Sequence, residues 1–281
     1  MSVPLLGRKA FPYCKYFLLL ILIVIMLFPV FWMFISSFQP SPYLMRLPPT
    51  FHLREGSLDN YQRIFSNTKY LRYFINSFIT AGGTVLVVLL VTVPAGYSFS
   101  RYHFFGKNAV LSLIMSVQIF PIVVILITLY TYYMKWGMLN TYQGLILSNS
   151  AFALPLSIML MKSFFDTLPR SLEDAARIDG AGRMRTMLEI MVPLTKQGLV
   201  AVCIYTFLNA WDDYLMSMTI MQKVEMKTLT VGLAQSFLGE YAYDYGALMA
   251  FSIVGSLPIV VVFVFLQKYM ISGMTAGAVK G

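Results

Sequence analysis

The hydrophobic positions fall into six long apolar runs separated by polar connections, at about 16–38, 74–98, 110–130, 142–162, 198–221 and 246–267. A run of about 20 residues crosses roughly 30 Å of hydrocarbon as a helix rising about 1.5 Å per residue. The pattern predicts an all-α, polytopic membrane protein of six transmembrane helices, forming a single transmembrane domain over 1–281. An even number of crossings returns both termini to one side. Of 21 Lys and Arg, 13 fall on the side of the N-terminus, and this positive-inside bias places both termini in the cytoplasm. Five runs carry a proline, Pro29, Pro94, Pro121, Pro155 and Pro258. Each removes a backbone hydrogen bond that neighbouring helices, hydroxyls or water must replace, which predicts kinked, closely packed helices.

Composition sharpens this picture. Hydrophobic residues make up 58% and charged residues 12%, against roughly a half and a quarter in soluble domains, so a water-soluble fold is excluded. The net charge of +9 sits in the connections, with no basic stripe or aromatic interleaving for nucleic acid. Cys14 and Cys203 support neither a disulfide framework nor a metal site. No G-x-x-x-x-G-K-[ST] phosphate loop occurs; Gly180-Ala181-Gly182-Arg183 lacks its Lys-Ser/Thr end. His52 and His103 lie in connections and no G-x-S-x-G elbow is present, so the chain does not read as an enzyme. A self-sufficient secondary transporter would show internal repeats and midplane charges. The chain has no convincing repeat, and its embedded charges are Asp212 and Asp213.

Two connections exceed turns. The outer loop, 39–73, has extended character at Pro40, Pro42, Pro48 and Pro49, then a short capped helix from Ser57 to Phe65. In the inner segment, 163–197, the run from Leu168 to Gly180 reads as a short helix with its own start and stop signals. Ser171 is placed to cap it with Asp174 as partner three residues on, Glu173 and Asp174 complement its positive end, and Gly180 stops it. A second helix has Met184, Met187, Leu188 and Met191 at helical spacing and closes at Pro193. Small residues at Ala175, Ala176, Gly180 and Gly182 beside a methionine face suit a docking element, although an amphipathic cover for the chain's own helices has the same pattern.

The order of residues in this segment is more specific. Asp174-Ala175-Ala176, then Gly180, then Ile190-Met191-Val192-Pro193 resembles the E-A-A-x3-G-x9-I-x-L-P cytoplasmic loop of permease subunits of binding-protein-dependent ABC importers, with Asp for Glu and Val for Leu. The resemblance extends to the maltose-type carbohydrate permeases through Asn76-Ser77, Gly96-Tyr97-Ser98 with Arg101, Phe120-Pro121, the Ala175 to Ala181 run, and Gly277 to Gly281. It implies a type I ABC importer transmembrane fold in the bacterial inner membrane, forming half of a sugar pathway that works by alternating access. Glu173, Asp174, Ala175, Ala176, Asp179, Gly180 and Ala181 would then couple to a separate ATPase that binds ATP and Mg. The implied partners are a second permease, two ATPase copies and an extracytoplasmic solute-binding protein, and the 268–281 tail would reach the ATPase. The tail from Ser272 has too little apolar content to read as a packed helix. Import of another solute, such as an acidic sugar, a polyol or a glycerol-phosphate type, is the alternative.

The cluster Asn209, Trp211, Asp212, Asp213 and Tyr214 in the fifth run is the candidate substrate pathway. Its rings could stack on a sugar while Asn209 and the acids pair with hydroxyls. An interfacial aromatic belt with a helix-to-helix polar contact fits the same residues. Two carboxylates favour a neutral saccharide over an anionic one, whereas Arg46, Arg54 and Arg63 of the outer loop favour the reverse.

Overall fold

The computed structural model describes residues 7–45, 56–237 and 244–278. Pro48, Pro49, Arg46, Arg54 and His52 of the outer loop, and Val279 to Gly281 of the tail, lie outside the described residues. The helices are, in order, α1 (Gly7–Ser36), α2 (Ser41–Leu44), α3 (Asp59–Ser66), α4 (Thr68–Arg101), α5 (Lys107–Ser116), α6 (Ile122–Lys135) and α7 (Tyr142–Asp166). They continue as α8 (Ser171–Ile178), α9 (Arg183–Arg185), α10 (Val192–Leu194), α11 (Lys196–Trp211), α12 (Leu215–Ile220), α13 (Leu229–Phe237) and α14 (Tyr245–Ala278). A π-helical turn, Thr186–Met191, joins α9 to α10. Among the described residues four helices are individually long and apolar enough to span a membrane, and the number reaches six if each of two bent pairs makes one crossing.

The first bent pair breaks the run at 110–130, where Pro121 predicts a kink, and the second bends just before the run at 198–221. Between α5 and α6 the axis turns by 95°. Phe120, before the proline, is extended at φ −73° and ψ 132°, and Pro121 has no N–H to continue the ladder, so the turn follows from local sterics. Pro94, Pro155 and Pro258, by contrast, sit inside continuous helices. The fifth run ends at Trp211 and restarts at Leu215 as α12. The tail is also corrected, since the α14 backbone stays helical to Ala278; extending an existing helix adds one hydrogen bond per residue fixed, without a new nucleation cost.

The chain divides into two compact units, 1–67 with 235–255 and 68–234 with 256–281. In the first, α3 is held by polar side chains. Asn60, 2% exposed, donates to the carbonyls of Ser37 (2.9 Å) and Gln39 (3.1 Å), and Arg63 donates to Asn60 Oδ1 (2.8 Å). Arg63 also pairs with Asp244 at 2.8 Å, while Asp244 accepts from Ser41 and from the Ala247 N–H. Gly246 is tight because a Cβ there would collide with Gln39 O and Asn60 Nδ2. The apolar side chains of α1 are exposed from Tyr16 to Phe28, as a lipid-facing helix requires.

In the second unit α4, α7 and α11 pack around a core of Val88, Tyr97, Met161, Phe165, Met191 and Val202. Close approach is permitted by small residues, as in membrane bundles generally. At Gly96 a Cβ would lie 3.0 Å from Lys162 N, and at Gly198 it would lie 2.6 Å from the Phe164 ring. At one end of α4, Asn76 donates to the carbonyls of Glu225 and Lys227 and accepts from Tyr142 Oη, and Ser77 accepts the Leu229 N–H. The Asn76-Ser77 pair noted in the sequence thus ties the chain leading into α13 onto α4.

Two outcomes follow. Gly96→Val forces α4 away from α7 and should cost about 1–3 kcal/mol, read as a lower melting temperature of the solubilised protein. At Asp244, burial raises the carboxyl pKa, but hydrogen bonds from Ser41 and the Ala247 N–H and the charge of Arg63 hold it below its ordinary value. A depressed carboxyl stabilises the fold above the unfolded pKa of about 4 and loses that contribution as pH falls through the folded value. Hydrogen exchange across residues 59–66 should therefore accelerate below pH about 4 in the wild type, and Asp244→Asn should show fast exchange with no such acid step.

Candidate functional site

The inner segment is built on a buried charge pair. Glu173, in the first turn of α8, is 7% exposed, and its Oε1 lies 2.6 Å from Arg101 Nε at the end of α4. The contact is a charge pair without an aligned N–H···O bond; Arg101 also donates through Nη2 to Leu168 O at 2.9 Å. Nearby, Ser100 and Lys162 both donate to Asp166, each at 2.6 Å. The start of α8 is thereby fixed to α4 and α7. Ser171 is not the cap. It is the first helical residue, Arg170 occupies the cap position, and no side chain caps the end. The box with Asp174 does not form because Asp174 pairs with Arg177 at 3.3 Å on the exposed face.

The stop signal operates as the sequence predicts. Gly180 has φ +79°, its N–H donates to Arg177 O, and the Ala181 N–H reaches Ala176 O at 2.9 Å, the two bonds of a Schellman ending. A Cβ at Gly180 would meet no atom within 4 Å, so the requirement for glycine is conformational, not one of space. Ala176 is buried, whereas Asp174, Ala175, Asp179 and Gly180 are exposed and Ala181 is half-buried. Ile178, at 87% exposure, is the most prominent apolar side chain of this bend, and helical periodicity alone did not single it out.

The methionine face divides. Met184 and Leu188 are exposed, but Met187 and Met191 are buried in the α4–α7–α11 core. Pro193 does not close the helix, which continues through α10 before turning 79° into α11. The π turn before it widens the backbone where proline cannot donate and would crowd the preceding carbonyl.

The second site lies at the break between α11 and α12. Asp213 accepts from the Met216 N–H (3.1 Å), the Ser217 N–H (2.8 Å) and Ser217 Oγ (2.7 Å), so its carboxylate satisfies the start of α12. Asp213, Asn209 and, from α7, Asn149 line a pocket of about 140 Å³. Ile122, Phe152, Ala153 and Met216 complete its wall. Asn149 is 9% exposed and its Nδ2 has no hydrogen-bond partner among the described residues, an arrangement that costs about 1–3 kcal/mol if left unmet. Asn149 was passed over in the sequence, although Ser148-Asn149-Ser150 is a polar triplet inside an apolar run.

Trp211 does not line this pocket. It is 2% exposed, stacked on Phe207 at 5.3 Å and edge-on to Phe78 at 4.8 Å, so the sugar-stacking expected of it has no free face in this conformation. Asp212 and Tyr214 are exposed and outside the pocket. Of the five pathway candidates, the fold brings together Asn209 and Asp213.

Apolar helices suited to spanning a bilayer, joined to a polar bend anchored by a buried charge pair, define a multi-pass membrane protein. The chain belongs to the family described as binding-protein-dependent transport system inner membrane component, which it matches over residues 89–276. It is the permease of an ABC importer, a transport component whose ATPase is a separate subunit. It is 35% identical over 272 residues to the maltodextrin transport system permease protein MdxG of Bacillus subtilis, covering 95% of this chain and 96% of that one. It is 33% identical over 261 residues to the sulfoquinovosyl glycerol transport system permease protein SmoH of Agrobacterium fabrum, covering 93% and 91%. Its fold matches a chain of a bacterial ABC transporter involved in the import of the acidic polysaccharide alginate, with TM-score 0.81, 20% identity and coverage of 96% and 99%.

Removing one partner of the buried pair strands the other charge. Arg101→Ala or Glu173→Ala should each destabilise by about 3–5 kcal/mol, and the double variant by clearly less than their sum. Thermal unfolding of the four proteins in detergent measures this cycle.

Proposed function

We propose that the chain is one half of the translocation pathway of an ATP-driven oligosaccharide importer. The observation that carries the sugar assignment is the 35% identity to a maltodextrin permease along almost the whole of both chains. The pathway needs a second permease, and a heterodimer is the arrangement proposed, with two ATPase copies on the cytoplasmic side and a solute-binding protein outside. Both termini are cytoplasmic in this arrangement, in keeping with the bias of basic residues. ATP and Mg belong to the ATPase, and the tail beyond 268 reaches toward it.

In this reading the bend formed by Glu173, Asp174, Ala175, Ala176, Asp179, Gly180 and Ala181 seats in the ATPase. Closure of the ATPase pair on ATP moves α8 as a rigid element, and the Arg101–Glu173 pair transmits that displacement to α4, shifting the cavity from inward-facing to outward-facing. The exposed Ile178 supplies an apolar contact at the tip. An anionic saccharide is the second reading, favoured by the likeness to the sulfoquinovosyl glycerol permease.

Uptake of labelled oligosaccharides by cells carrying the whole system, with and without an inactivated ATPase, tests the proposal. Loss of uptake with the ATPase is expected, and uptake that survives it points to a secondary transporter. Gly180→Val places a β-branched residue at a left-handed position, and we expect normal membrane insertion with uptake reduced more than tenfold. Intact-complex mass measurement reads the partners: two different permeases support the heterodimer, and two copies of this chain without another membrane subunit refute it.

A further inference from the structure

The pocket between α7, α11 and α12 has a polar complement that the fold leaves incomplete. The Nδ2 of Asn149 has no partner among the described residues. Asn209 spends Nδ2 on Tyr205 O of its own helix, at 2.8 Å, and keeps its carbonyl oxygen as an acceptor. Asp213 takes three hydrogen bonds from α12, two of them on Oδ2, which leaves Oδ1 with one accepting position of the roughly four that a carboxylate offers. One donor and two acceptors therefore converge beside the apolar surface of Phe152, Ile122 and Met216.

This set matches a hydroxylated ring, which donates and accepts at its edge and is apolar on its face. Seven residues line this cavity of about 140 Å³, enough to contact one ring of a longer saccharide. No Lys or Arg lines the pocket, and Asp213 has no ion-pair partner among the described residues. A carboxylate or sulfonate on the solute would meet the Asp213 carboxylate in a medium of low dielectric, where like charges repel strongly.

We propose that the Asn149–Asn209–Asp213 pocket is a solute subsite of this subunit that reads hydroxyls of one neutral saccharide unit, with Asn149 donating to a sugar oxygen and Asp213 Oδ1 accepting from a sugar hydroxyl. The proposal rests on the reading of the chain as a sugar importer and adds that this permease itself selects for neutral solutes. The placement follows from the broken fifth run: had α11 continued past Trp211, Asp213 would be an ordinary helical residue, not the cap that turns its carboxylate to the start of α12.

The test uses the complete transporter, with its second permease, ATPase and binding protein, in proteoliposomes. Uptake is measured for maltotriose, arabinotriose, galactotriose and trigalacturonate. Wild-type uptake of a neutral trimer is expected. Uptake of none of the four overturns the sugar reading and the subsite with it, whereas uptake of trigalacturonate alone leaves the sugar reading standing and overturns the neutral subsite. For the transported trimer, Asn149→Leu and Asn149→Asp should each raise the half-saturating concentration at least fivefold, with the yield of assembled complex unchanged. If the leucine variant fails to assemble, the near-isosteric aspartate variant decides. Monodeoxy versions of the trimer separate binding from structure: the wild type should discriminate against the one lacking the contacted hydroxyl, and Asn149→Asp should abolish that discrimination. A wild-type half-saturating concentration in Asn149→Asp, or deoxy discrimination that persists in it, means that the pocket holds water only and overturns the proposal.

Discussion

The buried contact between Arg101 and Glu173 is the constraint on which the inner half of the structure depends. Two opposite charges at 2.6 Å, both nearly removed from solvent, are kept there chiefly by each other, with Leu168 O taking a further hydrogen bond from Arg101. Because one terminates α4 and the other opens α8, the pair fixes the angle at which the bend leaves the membrane helices. An exposed pair such as Asp174 with Arg177 would do little of this, since water screens it and its side chains are free to separate. A lever needs a stiff joint, and burial supplies the stiffness.

The membrane helices obey a complementary rule. Where backbones must approach, as at Gly96 and Gly198, the sequence removes side chains. Where the backbone must break, at Pro121 and at Asp213, it removes a donor or supplies an acceptor. Hydrocarbon is costly for an unmet N–H, and at the second break the Asp213 carboxylate meets the freed Met216 and Ser217 N–H groups. The break at Asp213 has a second effect, for the carboxylate that secures α12 also becomes part of a pocket wall. Under the proposed subsite, structural repair and solute recognition share one side chain.

The selectivity of such an importer arises in stages. In the proposed importer a binding protein would select the solute outside, and the proposed pocket, lined by no Lys or Arg, would add a penalty on anions during passage. Arg63 of the outer loop does not contradict this, because it is already paired with Asp244 and bonded to Asn60 within its own unit.

The run lengths alone determined that this chain spans a membrane, because hydrocarbon thickness leaves few alternatives for apolar stretches of that size. The motif order Asp174-Ala175-Ala176 to Gly180 determined the bend and its class, since a left-handed stop and small residues are local properties. Other features depended on partners distant in the chain. Glu173 and Asp174 are neighbours with the same charge, yet one is buried against Arg101 and the other faces water, a difference set by which helix lies behind α8. Met187 and Met184 share a stripe in the sequence but not in the fold, because a π turn shifts the phase of the helix that carries them. Trp211 read as a sugar platform until Phe78 and Phe207 were found covering its faces, while Asn149 gained its meaning from the side chains of two other helices. Local propensity and periodicity reach about one helical turn; which side chains meet across helices is decided by packing, and only the tertiary structure contains it.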